Sequence, residues 1–318
     1  MPRHIAIIGA GISGLAAARS FQNSGFAVTV FEKSRGLGGR MSTRRMGDVS
    51  FDHGAQYFTV RSPRFRQIVD QWQAQGYAEK WFDEAFVGTP GMSAPAQFMA
   101  RPICVLNSFR VTAIERLAGG WSLRAENGPV QCEGNGQFCA VIFAIPAPQI
   151  ADVAGSHLLD CDLTHVQYSP CWALMLAFEK FPLLQDGHLK PDDELISWIA
   201  SNGSKPGRHH KPETIVVHAT PAWSRANFEL TPEQATKTML ERLHQLTKFT
   251  ESPSVSIAHR WRFALVEQAL SQPCVWTGSQ GLGACGDWCL GPRIEAAFDS
   301  GEALAAAACR ALDTKAKD

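Results

Sequence analysis

Several absences narrow the class of this chain. No segment reaches the roughly 18–20 uninterrupted apolar residues of a bilayer span, because the apolar run Cys139–Ile145 stops at Pro146. Neither charge is in excess: 30 Lys and Arg face 30 Asp and Glu, so there is no basic face to displace the counterions of a nucleic acid. The nine cysteines are an odd number, scattered without a Cys-x-x-Cys pair or a His/Cys spacing suited to zinc, which fits a reducing compartment best. No internal repeat or low-complexity segment occurs, and only the short polar end Asp313–Asp318 reads as a tail.

What remains is a folded chain. With 45% apolar and 19% charged residues it can bury a sizeable core, and 318 residues suggest about two domains. The start, Met1-Pro2-Arg3-His4 followed by Ile5–Ala18, has the outline of a short signal peptide. The glycine spacing inside that run argues instead for a soluble cytoplasmic protein.

Periodicity gives a strand over Ile5–Ile8, a small-residue helix over Ile12–Asn23 and a strand over Ala27–Phe31, together a βαβ unit. Ser62-Pro63 opens a helix with Phe65, Ile68, Val69 and Trp72 on one face. Ser108–Leu117 and Trp121–Ala125 read as a hairpin, and Phe138–Ile145 as a buried strand. Strand-like runs follow at Trp172–Glu179, Leu195–Ala200, Thr214–Ala219 and Val255–Trp261, predicting a mostly antiparallel sheet. The capping box Thr231-Pro232-Glu233-Gln234 opens a helix that turns Ala235, Met239, Leu243 and Leu246 inward. An alanine-rich helix runs from about Arg293 to Leu312, and Gly203–Lys211 is the most loop-like insertion.

Gly9-Ala10-Gly11-Ile12-Ser13-Gly14 sits between the first strand and the first helix. There the first glycine allows a tight turn, the second lets a pyrophosphate approach the backbone, and the third lets helix and strand pack closely. Free amides at the helix start then face the phosphates. Alone, such a motif could be an ordinary turn. Glu32 ends the second strand about 20 residues on, placed to bond an adenosine ribose. Lys33 and Arg35 follow, but Glu32 would repel a 2′-phosphate. Gly36-Leu37-Gly38-Gly39-Arg40 adds a second flexible turn and a cation suited to a pyrophosphate. Asp52-His53-Gly54-Ala55-Gln56-Tyr57 comes next.

In this order the motifs resemble the flavin amine oxidase superfamily. Ala284-Cys285-Gly286-Asp287-Trp288 and Gly291-Pro292-Arg293-Ile294-Glu295, opening the last helix, extend the likeness. The resemblance implies noncovalent FAD held by Gly9, Gly11, Ile12, Ser13, Gly14, Glu32, Lys33, Gly38, Gly39, Arg40, Gly54, Ala55, Gln56, Tyr57, Val111, Gly286, Asp287, Arg293 and Ile294. In it Asp287 would bond the ribityl or phosphate part. The amide at Ile294 would donate to the pyrimidine carbonyl, where the positive helix end stabilises negative charge on the ring. Covalent attachment through Cys285 or Cys289 is disfavoured, Cys285 being expected on a buried strand.

Within that superfamily the sequence is similar to the renalase family over nearly its whole length. The likeness is carried by Asp52–Phe58, Tyr168–Leu174, Ser201-Asn202, Val217–Thr220, Arg260-Trp261-Arg262 and Ala284–Gly286. That resemblance implies oxidation of the 2- and 6-dihydro isomers of NAD(P)H to NAD(P)+ by hydride transfer to flavin N5, with O2 reduced to hydrogen peroxide. A dihydropyridine is already a hydride donor, so the chain must mainly position its ring and exclude water. Tyr57, Asn202, His218, Trp261 and Trp288 are candidates for that task, with Arg262 as a phosphate or carboxamide contact. Each has a plainer reading: a core aromatic, a hydrogen-bonded core histidine, a salt-bridged sheet arginine.

The expected architecture is an α/β, two-domain flavoprotein. A Rossmann-like FAD-binding domain is assembled from 1–60, 100–148 and 272–318. A mostly antiparallel-sheet substrate domain comes from 61–99 and 149–271. Its partners are a dihydronicotinamide dinucleotide and O2, with no metal, nucleic acid or membrane. Two alternatives stand beside this one. Oxidation of a small amine would call for an aromatic cage and a lysine near the flavin; the chain has only three tyrosines and no lysine between Lys248 and Lys315, although Lys180 or Lys190 could serve. A flavin-binding module without turnover is the other.

Overall fold

A computed structural model of the protein describes residues 4–126, 128–129, 137–155, 159–181, 184 and 186–314. The βαβ unit is present with strands His4–Ile8 and Ala27–Phe31 around the helix Ile12–Asn23. It lies at the centre of a six-stranded sheet ordered Val275–Thr277, Leu282–Ala284, Ala140–Phe143, His4–Ile8, Ala27–Phe31, Cys104–Leu106. All neighbours run parallel except the first pair. The fold is thus mixed α/β, with a Rossmann-like parallel sheet drawn from both ends and the middle of the chain. The edge strand Cys104–Leu106 is too short to show in the sequence pattern.

The last helix, Ile294–Thr314, packs along Ile12–Asn23; the final residues 315–318 of the expected tail lie outside the described residues. Two glycines permit close layering, Gly14 against the fingerprint turn and Gly301 against the first helix. A Cβ on Gly14 would lie 2.1 Å from the Gly9 carbonyl oxygen, and one on Gly301 would lie 2.2 Å from the Ser13 carbonyl oxygen. Ala16, Ala17, Ala305 and Ala308 of the two helices are buried, and their small side chains suit such close packing.

The hairpin pairs Val111–Leu117 with Gly120–Ala125. It starts later than the sequence suggests, since Ser108 has φ +54° and its N–H donates to the Ser34 carbonyl. The helix Pro63–Ala74 is capped by the Ser62 hydroxyl, and Pro232–Thr247 carries the complete Thr231/Gln234 capping box. Among the described residues no helix is long and apolar enough to cross a membrane.

A separate five-stranded antiparallel sheet runs His188–Leu189, Ile196–Ser201, Glu213–Ala219, Gln167–Phe178, Val255–Gln268. One face carries Trp172, Leu174, Leu176, Ile215 and Val217 and is covered by the helix Pro232–Thr247 through Ala235, Met239 and Leu243. On the other, Met175, Ala177 and Val216 pack on Phe51. The strand Val255–Gln268 is about twice its expected length, because it continues past a register shift between Ser169 and Cys171. Pro170 sits at that shift and has no N–H to give the ladder, so the opposing backbone is released there.

Replacing Gly301 with Ala should lower the urea midpoint at unchanged slope, by the roughly 1–3 kcal/mol of an overpacked contact. An unchanged midpoint would show that the two helices do not meet this closely.

Candidate functional site

The fingerprint loop follows the first strand, with Gly9 at φ +106°. Gly11 is the N-cap of the first helix at φ −73°, with no side-chain cap. A Cβ there would meet nothing within 4 Å. Neither backbone strain nor packing inside the chain therefore demands glycine at 11, and the uncapped amides of Ser13 and Gly14 stand free. That combination fits an anionic group passing close to the backbone.

Beside it lies a cleft of about 360 Å³ lined by Gly9, Glu32, Lys33, Arg110, Val111 and Gln149, among others. The Glu32 carboxylate accepts from Ala10 N–H at 2.9 Å and Ser34 N–H at 2.8 Å, which fixes it in the cleft wall with lone pairs to spare for hydroxyl donors.

The second glycine turn docks on the first. Gly38 N–H donates to the Ala10 carbonyl at 3.0 Å, and Gly38 and Gly39 have φ of +103° and +54°. The turn delivers Arg40 to the C-terminal motif, where Nη1 and Nη2 donate to the two oxygens of Asp287 at 2.8 and 2.6 Å across 247 residues. Nη1 also donates to the Ala264 carbonyl at 3.1 Å, which lies in the backbone released opposite Pro170. Asp287, expected to face the flavin tail, has both oxygens engaged by Arg40.

The segment Asp52–Tyr57 lies against this turn: Ala55 N–H donates to the Arg40 carbonyl at 2.8 Å, and a Cβ on Gly54 would lie 2.1 Å from that oxygen. It continues to Arg61 and Ser62, whose N–H groups donate to Glu295 in the first turn of the last helix, Ser62 at 2.6 Å. A buried carboxylate at that positive helix end is favourable. Ile294, the first residue of this helix, and Arg293 before it are thereby held next to the 52–62 segment.

The antiparallel sheet faces the same segment. Trp198, His218, Ala173 and His259 are cross-strand partners in one row. The Tyr57 ring lies 5.7 Å from the Trp198 ring. The His53 carbonyl accepts from Trp261 Nε1 at 2.9 Å and lies 3.3 Å from His218 Nε2. Gln56, Tyr57, His218 and Trp261 are therefore brought together. Burial first, then His259 and Arg44, hold the His53 imidazole at about 4, and burial does the same for His218, so both are neutral at pH 7.

The other candidates lie elsewhere. Asn202 is buried, its amide bonded to Ser50 carbonyl and Asp52 N–H, so it braces the segment. Arg262 is exposed, its guanidinium 5.0 Å over Phe228 beside Arg260, toward the helix-covered face of the sheet. Trp288 is buried, its Nε1 donating to the Ile145 carbonyl at 3.1 Å. It packs so tightly on Gly286 that a Cβ there would be 2.4 Å from Nε1.

Besides Trp198, which faces Tyr57, two site residues escape sequence reasoning. In the loop-like stretch Gly203–Lys211, Lys205 and Arg208 are both buried. Their Nζ and Nη2 reach Asp52 Oδ2 at 3.4 and 2.6 Å, and Asp52 also accepts from Thr43 Oγ1 and Met92 N–H. Burial would raise the Asp52 carboxyl, but Lys205 and Arg208 outweigh it and hold it at about 2; burial lowers Lys205 to about 8. The one signal was Asp52 itself, an acid in a segment otherwise poor in charge. Among the described residues no cluster of His, Cys, Asp and Glu could hold a metal ion.

Three comparisons bear on these features. The model of the NAD(P)-binding Rossmann-like domain matches residues 7–72. A 4,4′-diapophytoene desaturase from Staphylococcus aureus (strain MRSA252) is 48% identical over 89 residues, covering 25% of this chain and only 18% of the relative. The chain thus spans less than a fifth of the length of such curated relatives. Among solved structures, a provisionally assigned protoporphyrinogen oxidase from Exiguobacterium sp. 255-15 superposes with TM-score 0.71 at 13% identity, over 98% of this chain and 99% of that one. A putrescine oxidase bound to putrescine superposes at 0.68 and 16% identity, over 99% of each. The fold is that of flavin amine oxidases.

Arg40→Ala should strand the Asp287 carboxylate, whose side chain is 8% exposed, costing on the order of 3–5 kcal/mol of stability. Undiminished stability in urea unfolding would remove this bridge from the account. Stability should also fall on acidification. His53 and His218 titrate below the ordinary 6.5 when folded, so the unfolded chain binds the extra protons, and stability is lost as pH drops from 6.5 toward about 4. Asp52, lowered when folded, adds a further loss from 3.8 toward about 2. Thermal midpoints across pH 2–8 check both windows, and a flat profile over the upper one would contradict neutral imidazoles.

Proposed function

We propose that this chain is an FAD-dependent oxidoreductase that oxidises the 2- and 6-dihydro isomers of NAD(P)H to NAD(P)+, with O2 and a proton converted to hydrogen peroxide. FAD fits the residues present: free amides after Gly11, Glu32 in the cleft wall, and Arg40 joining the second glycine turn to Asp287. Cys285 and Cys289 support noncovalent binding, since burial pushes both thiols up, Cys289 to about 12, and suppresses the reactive thiolate. The flavin supplies a two-electron acceptor that O2 reoxidises.

The observation that carries the choice of substrate is the sign of charge where the sheet meets the 52–57 segment. Behind Gln56 the single carboxylate of Asp52 faces two buried cations, Lys205 and Arg208, while His53 and His218 are neutral. An environment with surplus positive charge opposes the entry of an ammonium ion and suits an anionic dinucleotide as the donor. No side chain has to remove a proton, because the donor surrenders a hydride. Tyr57, Trp198 and Trp261 offer flat apolar surface to align the ring and exclude water.

Oxidation of a small amine is the second reading, supported by the fold shared with putrescine oxidase and by Lys205, a buried lysine beside the segment. Rapid anaerobic mixing separates the two. The dihydro isomers should bleach the flavin absorbance within the dead time to seconds, and putrescine or other simple amines far more slowly. Amines bleaching as fast or faster would sink the dihydronicotinamide assignment; bound flavin that no donor bleaches would make the chain a module without turnover.

A further inference from the structure

We propose that the small cavity walled by the Gly203–Lys211 loop binds one monovalent anion of about chloride size, which balances the positive charge buried beside Asp52. The proposal does not depend on which donor the flavin oxidises.

One carboxylate and two cations lie out of water there. The side chains of Asp52 and Lys205 are fully buried and that of Arg208 is 2% exposed, so the three groups carry one positive charge too many. A net charge held away from solvent is costly unless a counter-ion stands close to it. Of the three, Arg208 is the one that lines this cavity.

The cavity leaves about 10 Å³ for the centre of a water-sized sphere, and its buried walls supply donors. The Arg208 guanidinium gives Nη2 to Asp52 and Nη1 to the Pro206 carbonyl, each at 2.6 Å, while its Nε is buried without a hydrogen-bond partner among the described residues. Asn202 Nδ2 donates to the Ser50 carbonyl at 3.1 Å, and its Oδ1 accepts from Asp52 N–H at 3.4 Å. This pairing fixes the amide orientation and leaves the second Nδ2 hydrogen uncommitted. Thr214, 4% exposed, adds a hydroxyl. The exposed residues Asp48, His209 and Lys211 complete the wall on the solvent side.

A water in this space would accept from the donors and leave the charge unbalanced. An anion does both, since it accepts from each donor and has no hydrogen of its own to place. Volume selects among anions: a monatomic ion can sit there, whereas the four oxygens of phosphate need more depth than the cavity has. Lys205 does not line the cavity and keeps its 3.2 Å contact with Gln56 Oε1, so the charge that the anion balances is that of Arg208. The carboxylate of Asp48 is the one negative side chain on the wall. It opposes an anion, which gives the test its sign.

The test uses the FAD-loaded protein at fixed pH and ionic strength, with chloride exchanged against gluconate. The excess 35Cl NMR linewidth caused by the protein should decline with rising chloride as a single site fills. Bromide should suppress it, and phosphate should not. Asp48→Asn should tighten chloride binding about two- to fivefold, and Lys211→Met should weaken it by a similar factor. Arg208→Lys keeps a positive charge for Asp52 but has no Nε–H, and should abolish the saturable part. An excess linewidth that is independent of chloride concentration and equal in all variants would reduce the effect to general screening and overturn the proposal. So would phosphate displacing chloride, or Asp48→Asn leaving the affinity unchanged. Asp48 and Lys211 are exposed, so their variants decide even where Arg208→Lys does not fold. Dihydro isomers that fail to bleach the flavin would remove the substrate assignment and leave every one of these outcomes as it is.

Discussion

The contact on which the rest depends is made by one guanidinium. Arg40 holds both oxygens of Asp287 and the Ala264 carbonyl, and its own carbonyl accepts from Ala55. Through it the second glycine turn, the 52–57 segment, the C-terminal motif and the antiparallel sheet are fixed to one another. The planar fork makes this possible, since its donors lie in fixed directions and none can be deprotonated. Pro170 is the complement: by withholding a ladder hydrogen bond it leaves Ala264 with a carbonyl to offer.

Around that fixed point, polarity is sorted by layer. The fingerprint side presents backbone amides and a glycine whose Cβ position is empty, a surface for anions. The sheet side presents rings and neutral imidazoles. Between them, Asp52 is buried with cations that exceed its charge. Such a cluster contributes little net stability compared with an apolar core; its worth lies in dictating which atoms of the 52–57 segment point where.

What could be read from the sequence was what is local. The fingerprint helix has the bounds that its small residues and flanking glycines require, the Thr231 capping box closes as its spacing demands, and the strands Ala27–Phe31 and Glu213–Ala219 follow from short β-branched runs. What could not be read depends on partners far along the chain. Gly203–Lys211 looks like a solvated loop because it is polar and rich in turn formers, yet Lys205 and Arg208 are drawn inside by Asp52, more than 140 residues earlier. Trp261 and Trp288 are alike in sequence, but one reaches the His53 carbonyl and the other the Ile145 carbonyl. Arg262 shares the face of Arg260, both lying over Phe228, and strand alternation alone turns it away from Trp261 and the site.

The orientation of the site follows from a requirement of the backbone. Asp52–Tyr57 belongs to no strand or helix, so its carbonyls receive no ladder hydrogen bonds, and buried carbonyls must find donors. The donors they find are the site's own side chains: Gln56 for Asp52 and Gly54, Trp261 and His218 for His53. Irregular backbone thus sets the direction of each functional group, where a regular strand would have consumed the same carbonyls in pairing. Substituting one of these side chains therefore changes the chemistry of the site and the shape of the segment together, and this coupling explains why the site is built on a stretch held by side chains instead of on the more rigid sheets beside it.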